Sequence, residues 1–274
     1  MTTHPRSARP LRATLSTAID QSGLGLHSGR PCRARISPAP PGHGVCFNGV
    51  PATIDHVVDG HFATTLQGPS ANGSRSVRMV EHLLAALALA GIDDADIAVE
   101  GGEVPILDGS AAPWLAQLGS QPHPGTERSC VTLTAPIYLA EGDASISAWP
   151  AEVLDLTAEI DFPLLGLQVA SGPVRPHART FGFLRDAPRL HAAGLALGAS
   201  PANTLIYDDA GVPRSPLRFP DEPAHHKLLD LLGDLALLGA PLQARVHAVR
   251  AGHRLHHALV RAILQQAAGP APAR

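Results

Sequence analysis

The sequence predicts an α+β fold: two sandwich domains of similar element order, each a small sheet packed on helices, with an active site at their interface. Three observations carry this. Short apolar/polar alternations punctuated by Gly and Pro read as strands, and each series of them leads to helix, strand, helix, an order that appears twice along the chain. A polar stretch rich in Pro and Gly, residues 119–129, separates the two series and reads as a linker. Polar residues suited to chemistry lie on otherwise apolar helices in both halves, and a cleft between domains is a natural place for a site. The expected division is 1–122, carrying Glu81 and His82, and 123–274, carrying His226, Asp230 and His253.

Taken in order, the N-terminus MTTHPRSARPLRATLSTAI, residues 1–19, has arginines but no apolar core like that of a secretory signal and reads as a short lead-in. ATLSTAI, RARISP, GVCFNG and ATIDHVV then alternate as strands over residues 12–58. Val77 to Ala90 reads as a helix, with Asn72, Gly73, Ser74 or Ser76 to start it and Gly91 to stop it. ADIAVEGG is a strand, and PWLAQLG a short helix with Ser110 as cap and Pro113 in the first turn. After the linker, VTLTAPIYLA, ASISAWPA and VLDLTAEIDF alternate as strands. A less periodic section runs to about residue 215. A helix is expected over 222–238, then the strand QARVHAVRAG and a last helix, RLHHALVRAILQQAA.

The helix at 222–238 is the most telling. Side chains at i, i+4 and i+8 share one side of a helix, so His226, Asp230 and Asp234 form a polar stripe among leucines. A helix this apolar is expected to be buried. One imidazole and two carboxylates buried together call for a positive partner, and a divalent metal answers that need. A His-x-x-x-Asp pair alone is ordinary on helices, so a third ligand from elsewhere must decide. His82 is a candidate for it, with Glu81 beside it as a general base. Both lie near a helix start, where a solvated carboxylate is the plainer reading. No H-E-x-x-H occurs. His253 is read as a loop histidine between a strand and a helix, a common place for catalytic groups. His225, His247, His256 and His257 are weaker candidates. RTFGFLRD, residues 179–186, reads either as an irregular strand edge or as a loop presenting Thr180 and Phe181 to a ligand. GLGLHSG, residues 23–29, lacks the order of a phosphate-binding loop and reads as strand and tight turn.

Composition narrows the function classes. With 274 residues, 45% hydrophobic and 16% charged, the chain can bury a sizeable core. A formal net charge of -3 and 4% aromatic content give no footprint for nucleic acid. Cys32, Cys46 and Cys130 form no C-x-x-C and are odd in number, which points to a reducing compartment. No apolar run reaches the length of a membrane span.

Taken together, these segments resemble the family of the zinc-dependent deacetylase of lipid A biosynthesis, which acts on UDP-3-O-acyl-N-acetylglucosamine. The resemblance runs from about Ala18 to Ile263. It is carried by GLGLHSG (23–29), VEHLLAALA (80–88), VPILDGSAAP (104–113), EIDFP (159–163), RTFGFLRD (179–186), GLALGAS (194–200), LRFPDE with HHKLLDLLGD (217–234) and AGH (251–253). It implies two α+β domains with zinc at their interface. It implies His82, His226 and Asp230 as zinc ligands, Glu81 as general base, and His253 as general acid or electrostatic stabiliser. Thr180 would help hold the oxyanion, Asp234 would orient His253, and Phe181, Lys227 and Asp186 would contact the substrate. The implied substrate is the acylated UDP-sugar. A cytoplasmic monomer without nucleic acid or stable membrane insertion is expected. The chain departs from the family pattern at Met79, Ala144, Ala202 and Pro223 to His225, and the segment between Phe162 and Arg179 is short. Two other readings stay open on these grounds, a zinc deacetylase of another N-acetylated sugar and a non-catalytic binding relative. Intact Glu81 and His253 argue against the second.

Overall fold

The computed structural model describes residues 11–70 and 73–268. In the first half, a five-stranded sheet has the spatial order Ile19–Leu24, Pro31–Pro38, Ala95–Glu100, Val45–Phe47, Val50–Pro51. Neighbours are antiparallel except Val45–Phe47, which runs parallel to Ala95–Glu100. The alternation of side chains along a strand sets its two faces. Ala34, Ile36, Ala95, Ile97 and Val99 are buried, while Arg33, Arg35, Asp96 and Glu100 are exposed. A three-stranded sheet of Val57–Asp59, Thr65–Ser70 and Gly73–Arg78 completes this half. In the second half, the sheet order is Ile137–Glu141, Ala144–Pro150, Leu242–Val249, Asp155–Phe162, Gly166–Ser171, with Val131–Thr132 also paired to Leu242–Val249.

Among the described residues five α-helices accompany these sheets: α1 Glu81–Ala90, α2 Ala112–Leu115, α3 Ala187–Ala192, α4 Glu222–Leu235 and α5 His253–Ala268. The leucine-rich α4 is buried along most of its length, as its composition demands. It packs on α1, on α5 and on the strands Asp155–Phe162 and Gly166–Ser171. Buried side chains of both halves form one continuous core through this α1–α4 contact. The two helices approach tightly at Gly233, where an added Cβ would lie 2.1 Å from the Glu81 carbonyl oxygen. Only glycine admits the backbone of Glu81 so near. No helix among the described residues is long and apolar enough to cross a membrane.

Several elements differ from the sequence reading. Residues 119–129 contain a strand, Ser120–Glu127, paired antiparallel to Leu11–Leu15, and the expected division at 122/123 falls inside it. Its polar, Pro-rich composition marks an exposed ribbon rather than a tether. The first long helix begins at Glu81, because Val77 and Arg78 belong to the strand Gly73–Arg78. Of its expected caps, Asn72 lies outside the described residues, and Gly73, Ser74 and Ser76 are in that strand. Residues 1–10 of the expected lead-in also lie outside them, while its Leu11–Leu15 forms a strand. Ser110 precedes the N-cap Ala111, and its Oγ accepts from the Ala112 N–H at 3.2 Å. α4 ends at Leu235 and passes into a 3-10 turn, Ala236–Leu238. His253 is the first residue of α5, not a loop residue.

Candidate active site

Three helices converge on one buried cluster. Each is entered through a left-handed non-glycine residue: Met79 (φ 60°) before α1, Asp221 (φ 55°) before α4 and Arg250 (φ 50°) before α5. Such residues cost of order 1–3 kcal/mol each and collect where a site must be aimed. Here they turn strands or loops sharply so that Glu81, His82, His226 and His253 enter the same space.

His226 and Asp230, one turn apart on α4, meet His82 of α1. Asp230 Oδ1 lies 3.3 Å from His226 Nε2 and 3.5 Å from His82 Nε2. All three side chains are buried. The ring centroids of His82 and His226 are 5.0 Å apart, nearly perpendicular. Asp230 Oδ1 is a buried oxygen with no hydrogen-bond partner, whereas Oδ2 accepts from Lys227 Nζ at 2.8 Å. His226 Nδ1 faces the Ala178 carbonyl at 3.3 Å, so Nδ1 carries the proton and Nε2 keeps its lone pair. Burial pushes the His226 imidazole down to about 3, leaving it neutral. Burial would raise the Asp230 carboxyl, but His226 and the Lys227 ammonium outweigh this and hold it well below the usual carboxylate range. Two imidazole nitrogens and one bare anionic oxygen, convergent and buried, fit a divalent metal.

Glu81 and His253 stand beside this trio. Glu81 Oε1 is 3.8 Å from His253 Nε2, and Glu81 Oε2 accepts from the Thr64 N–H at 3.1 Å. Burial raises the Glu81 carboxyl more than His253 and His82 lower it. His253 Nδ1 donates to Asp234 Oδ2 at 2.7 Å. Burial alone would lower His253, but the Asp234 carboxylate and then Glu81 outweigh it, and the imidazole is pushed up to about 9. An acid held as imidazolium and a base of raised affinity for protons thus face each other.

The arm bearing Thr180 and Phe181 is fixed by a buried ion pair. Arg179 Nε and Nη2 donate to Glu222 Oε1 and Oε2 at 2.8 and 3.0 Å, tying the arm to the start of α4. Thr180 N–H donates to the Gly109 carbonyl at 2.8 Å. The Phe181 ring stands 6.1 Å from that of His226 and 6.0 Å from Lys227 Nζ. The structure therefore gathers Glu81, His82, Phe181, His226, Lys227, Asp230, Asp234 and His253, with Thr180 next to Phe181 in the chain. Asp186 stands apart, in the 3-10 turn Leu184–Asp186 with Arg189 4.0 Å away.

Sequence reasoning missed some members. Thr64 is fully buried and its hydroxyl binds Asp234, yet nothing in its local sequence singles it out. His27 is buried with Nδ1 accepting from the Ala196 N–H at 3.3 Å, within electrostatic reach of His253. Its turn is no phosphate loop: the His27 and Ser28 N–H groups already donate to Glu103 at 2.7 and 3.0 Å. His256 and His257, ranked low from sequence, both contact Asp234.

The chain is similar to known proteins along most of its length. Residues 12–265 match the family described as LpxC, UDP-3-O-acyl N-acetylglycosamine deacetylase. A protein of Thermosynechococcus vestitus named UDP-3-O-acyl-N-acetylglucosamine deacetylase is 46% identical, the match covering 92% of this chain and 94% of the relative. Proteins of the same name from an Anaeromyxobacter species and from Trichormus variabilis are 40% and 39% identical, covering 92% of this chain and 88% and 97% of their own lengths.

Proposed function

The chain belongs to the UDP-3-O-acyl N-acetylglycosamine deacetylase family, and from that membership we propose that it hydrolyses the N-acetyl group of UDP-3-O-(3-hydroxyacyl)-N-acetylglucosamine, releasing acetate, in lipid A biosynthesis. The observation that carries the proposal is the bare Asp230 Oδ1 between His82 and His226, with the Glu81–His253 pair alongside. His82, His226 and Asp230 would hold zinc. That donor set also accepts ferrous iron. When bound, such a cation makes water more acidic and draws charge from the acetyl carbonyl oxygen.

The remaining chemistry falls to the chain's own residues. Glu81 takes a proton from the attacking water as the water oxygen bonds to the acetyl carbon. The Thr180 hydroxyl donates to the oxygen on which negative charge develops. Imidazolium His253 stands near that charge, then gives its Nε2 proton to the departing nitrogen as the C–N bond breaks. The products are acetate and the amine, which takes up the acid's remaining proton, and Glu81 returns its proton to His253. Asp234 fixes the imidazole plane and tautomer. Lys227, besides neutralising Asp230, presents an ammonium beside Phe181 to the anionic nucleotide sugar, and Asp186 would meet the substrate further out.

Cys32, Cys46 and Cys130 are free thiols, which supports a reducing, cytoplasmic location. Acetate release from the acylated nucleotide sugar, lost with a chelator and restored by zinc, is the expected result. Glu81→Ala is expected to bind metal and release no acetate above background. Release at the wild-type rate by that variant would overturn the mechanism.

A further inference from the structure

An aspartate that only orients one histidine needs one partner, but four side chains contact Asp234. Oδ2 accepts from His253 Nδ1 at 2.7 Å and from His256 Nδ1 at 2.7 Å. Oδ1 accepts from the Thr64 hydroxyl and lies 3.3 Å from His257 Nε2. His257 Nε2 is also 3.0 Å from Thr64 Oγ1, which accepts from it while donating to Asp234. All five side chains are buried. Burial pushes the His256 imidazole down, so it serves as a neutral donor. The ring of His257 is seated against bare backbone: a Cβ on Gly60 would come within 2.8 Å of its Nδ1.

We propose that His256 and His257 are positioning residues for His253, acting through Asp234. A carboxylate with one donor can rotate and exchange its oxygens. With His253 and His256 on one oxygen, and on the other Thr64, itself held by His257, its plane is fixed, and the plane fixes the direction in which His253 Nε2 faces Glu81. The two added imidazoles also set how strongly Asp234 attracts the His253 proton, since every N–H donated to a carboxylate lowers its basicity. Other charged or titratable groups face the same imidazoles. Glu81 on α1, and Asp230 and Lys227 on α4, bear on His253 or His256. His27 faces His253 from its turn. None of these changes when residue 256 is replaced, so a shift on replacement reports the lost donor.

The inference rests on the role given to His253 above. Its test compares His256→Leu, which removes the donor, with His256→Asn, whose amide N–H reaches the same oxygen. In metal-loaded enzyme, His256→Leu is expected to lower kcat about tenfold with KM nearly unchanged and full metal content. His253, held more tightly, becomes a weaker acid, and the alkaline limb of the kcat profile moves up by about one pH unit. His256→Asn restores both. Thr64→Val, which removes a donor from the other oxygen, is expected to move the limb the same way and serves if His256→Leu does not fold. Gly60→Ala, displacing His257, is expected to do likewise. Identical behaviour of His256→Leu and His256→Asn, or an alkaline limb unmoved in every folded variant, would overturn the assignment. A Glu81→Ala enzyme with wild-type activity would instead overturn the reading of the site itself.

Discussion

Replacing Asp234 by asparagine removes the negative charge nearest His253 while keeping the side chain's size. The imidazole, pushed up to about 9 in the native protein, then loses its main counter-charge against burial. Its pKa is expected to fall by about one to three units. Activity that needs imidazolium His253 is lost as pH rises through that pKa, so the alkaline limb of kcat should move down in Asp234→Asn, opposite to the shift expected for His256→Leu. The same sign governs stability. A histidine raised above its unfolded value of 6.5 stabilises fully below that value, and the contribution disappears as pH rises through about 9. Unfolding in urea between pH 6 and 10 should show this slope in the wild type and a weaker one in Asp234→Asn. At this scale the α4 stripe was legible because a 3.6-residue period brings His226, Asp230 and Asp234 to one side. The donors that surround Asp234 were not, because Thr64 is 170 residues away and has no local pattern of its own.

Elements set the distances between these residues, and Gly233 sets the critical one. An added Cβ would meet the Glu81 carbonyl oxygen at 2.1 Å and its carbonyl carbon at 2.8 Å. Both atoms are backbone, so the conflict cannot be relieved by rotating a side chain. Gly233→Ala gains helix propensity of about 1 kcal/mol, yet α1 and α4 must separate against a packed core at a cost of about 1–3 kcal/mol. The expected outcome is a lower Tm together with a kcat loss, because Glu81 moves relative to both His253 and the His226–Asp230 turn. A Tm rise with unchanged kcat would show that the helices do not meet there. In the sequence, Gly233 reads only as a flaw in a leucine helix, since close approach is a property of two elements. The same limit explains the segment at 119–129. Its composition describes exposure correctly, but its partner, Leu11–Leu15, lies more than a hundred residues earlier. The late start of α1 has a local cause that composition hides, the left-handed turn at Met79.

At the scale of the whole molecule, the trio His82, His226 and Asp230 links the halves that the sequence pattern distinguishes. His82 comes from α1, the other two from α4, and one core runs through the contact between these helices. A metal bound there binds the folded arrangement and not the unfolded chain, so it stabilises by mass action. At a free metal concentration one hundred times Kd this amounts to about 2.7 kcal/mol. At about 2–4 °C per kcal/mol for a chain of this size, that is a Tm change of about 5–10 °C. Chelation is therefore expected to lower Tm by several degrees in a single calorimetric transition, because the shared core ties both halves to one unfolding event. Zinc should restore the loss. His82→Ala should have a lower Tm that chelator no longer changes, although its two α4 residues remain. Two separated transitions after chelation would mean that the halves unfold independently and that the metal, not the core, joins them. An unchanged chelator effect in His82→Ala would mean that the metal is held within α4 alone, and the site would then no longer depend on the meeting of the two helices.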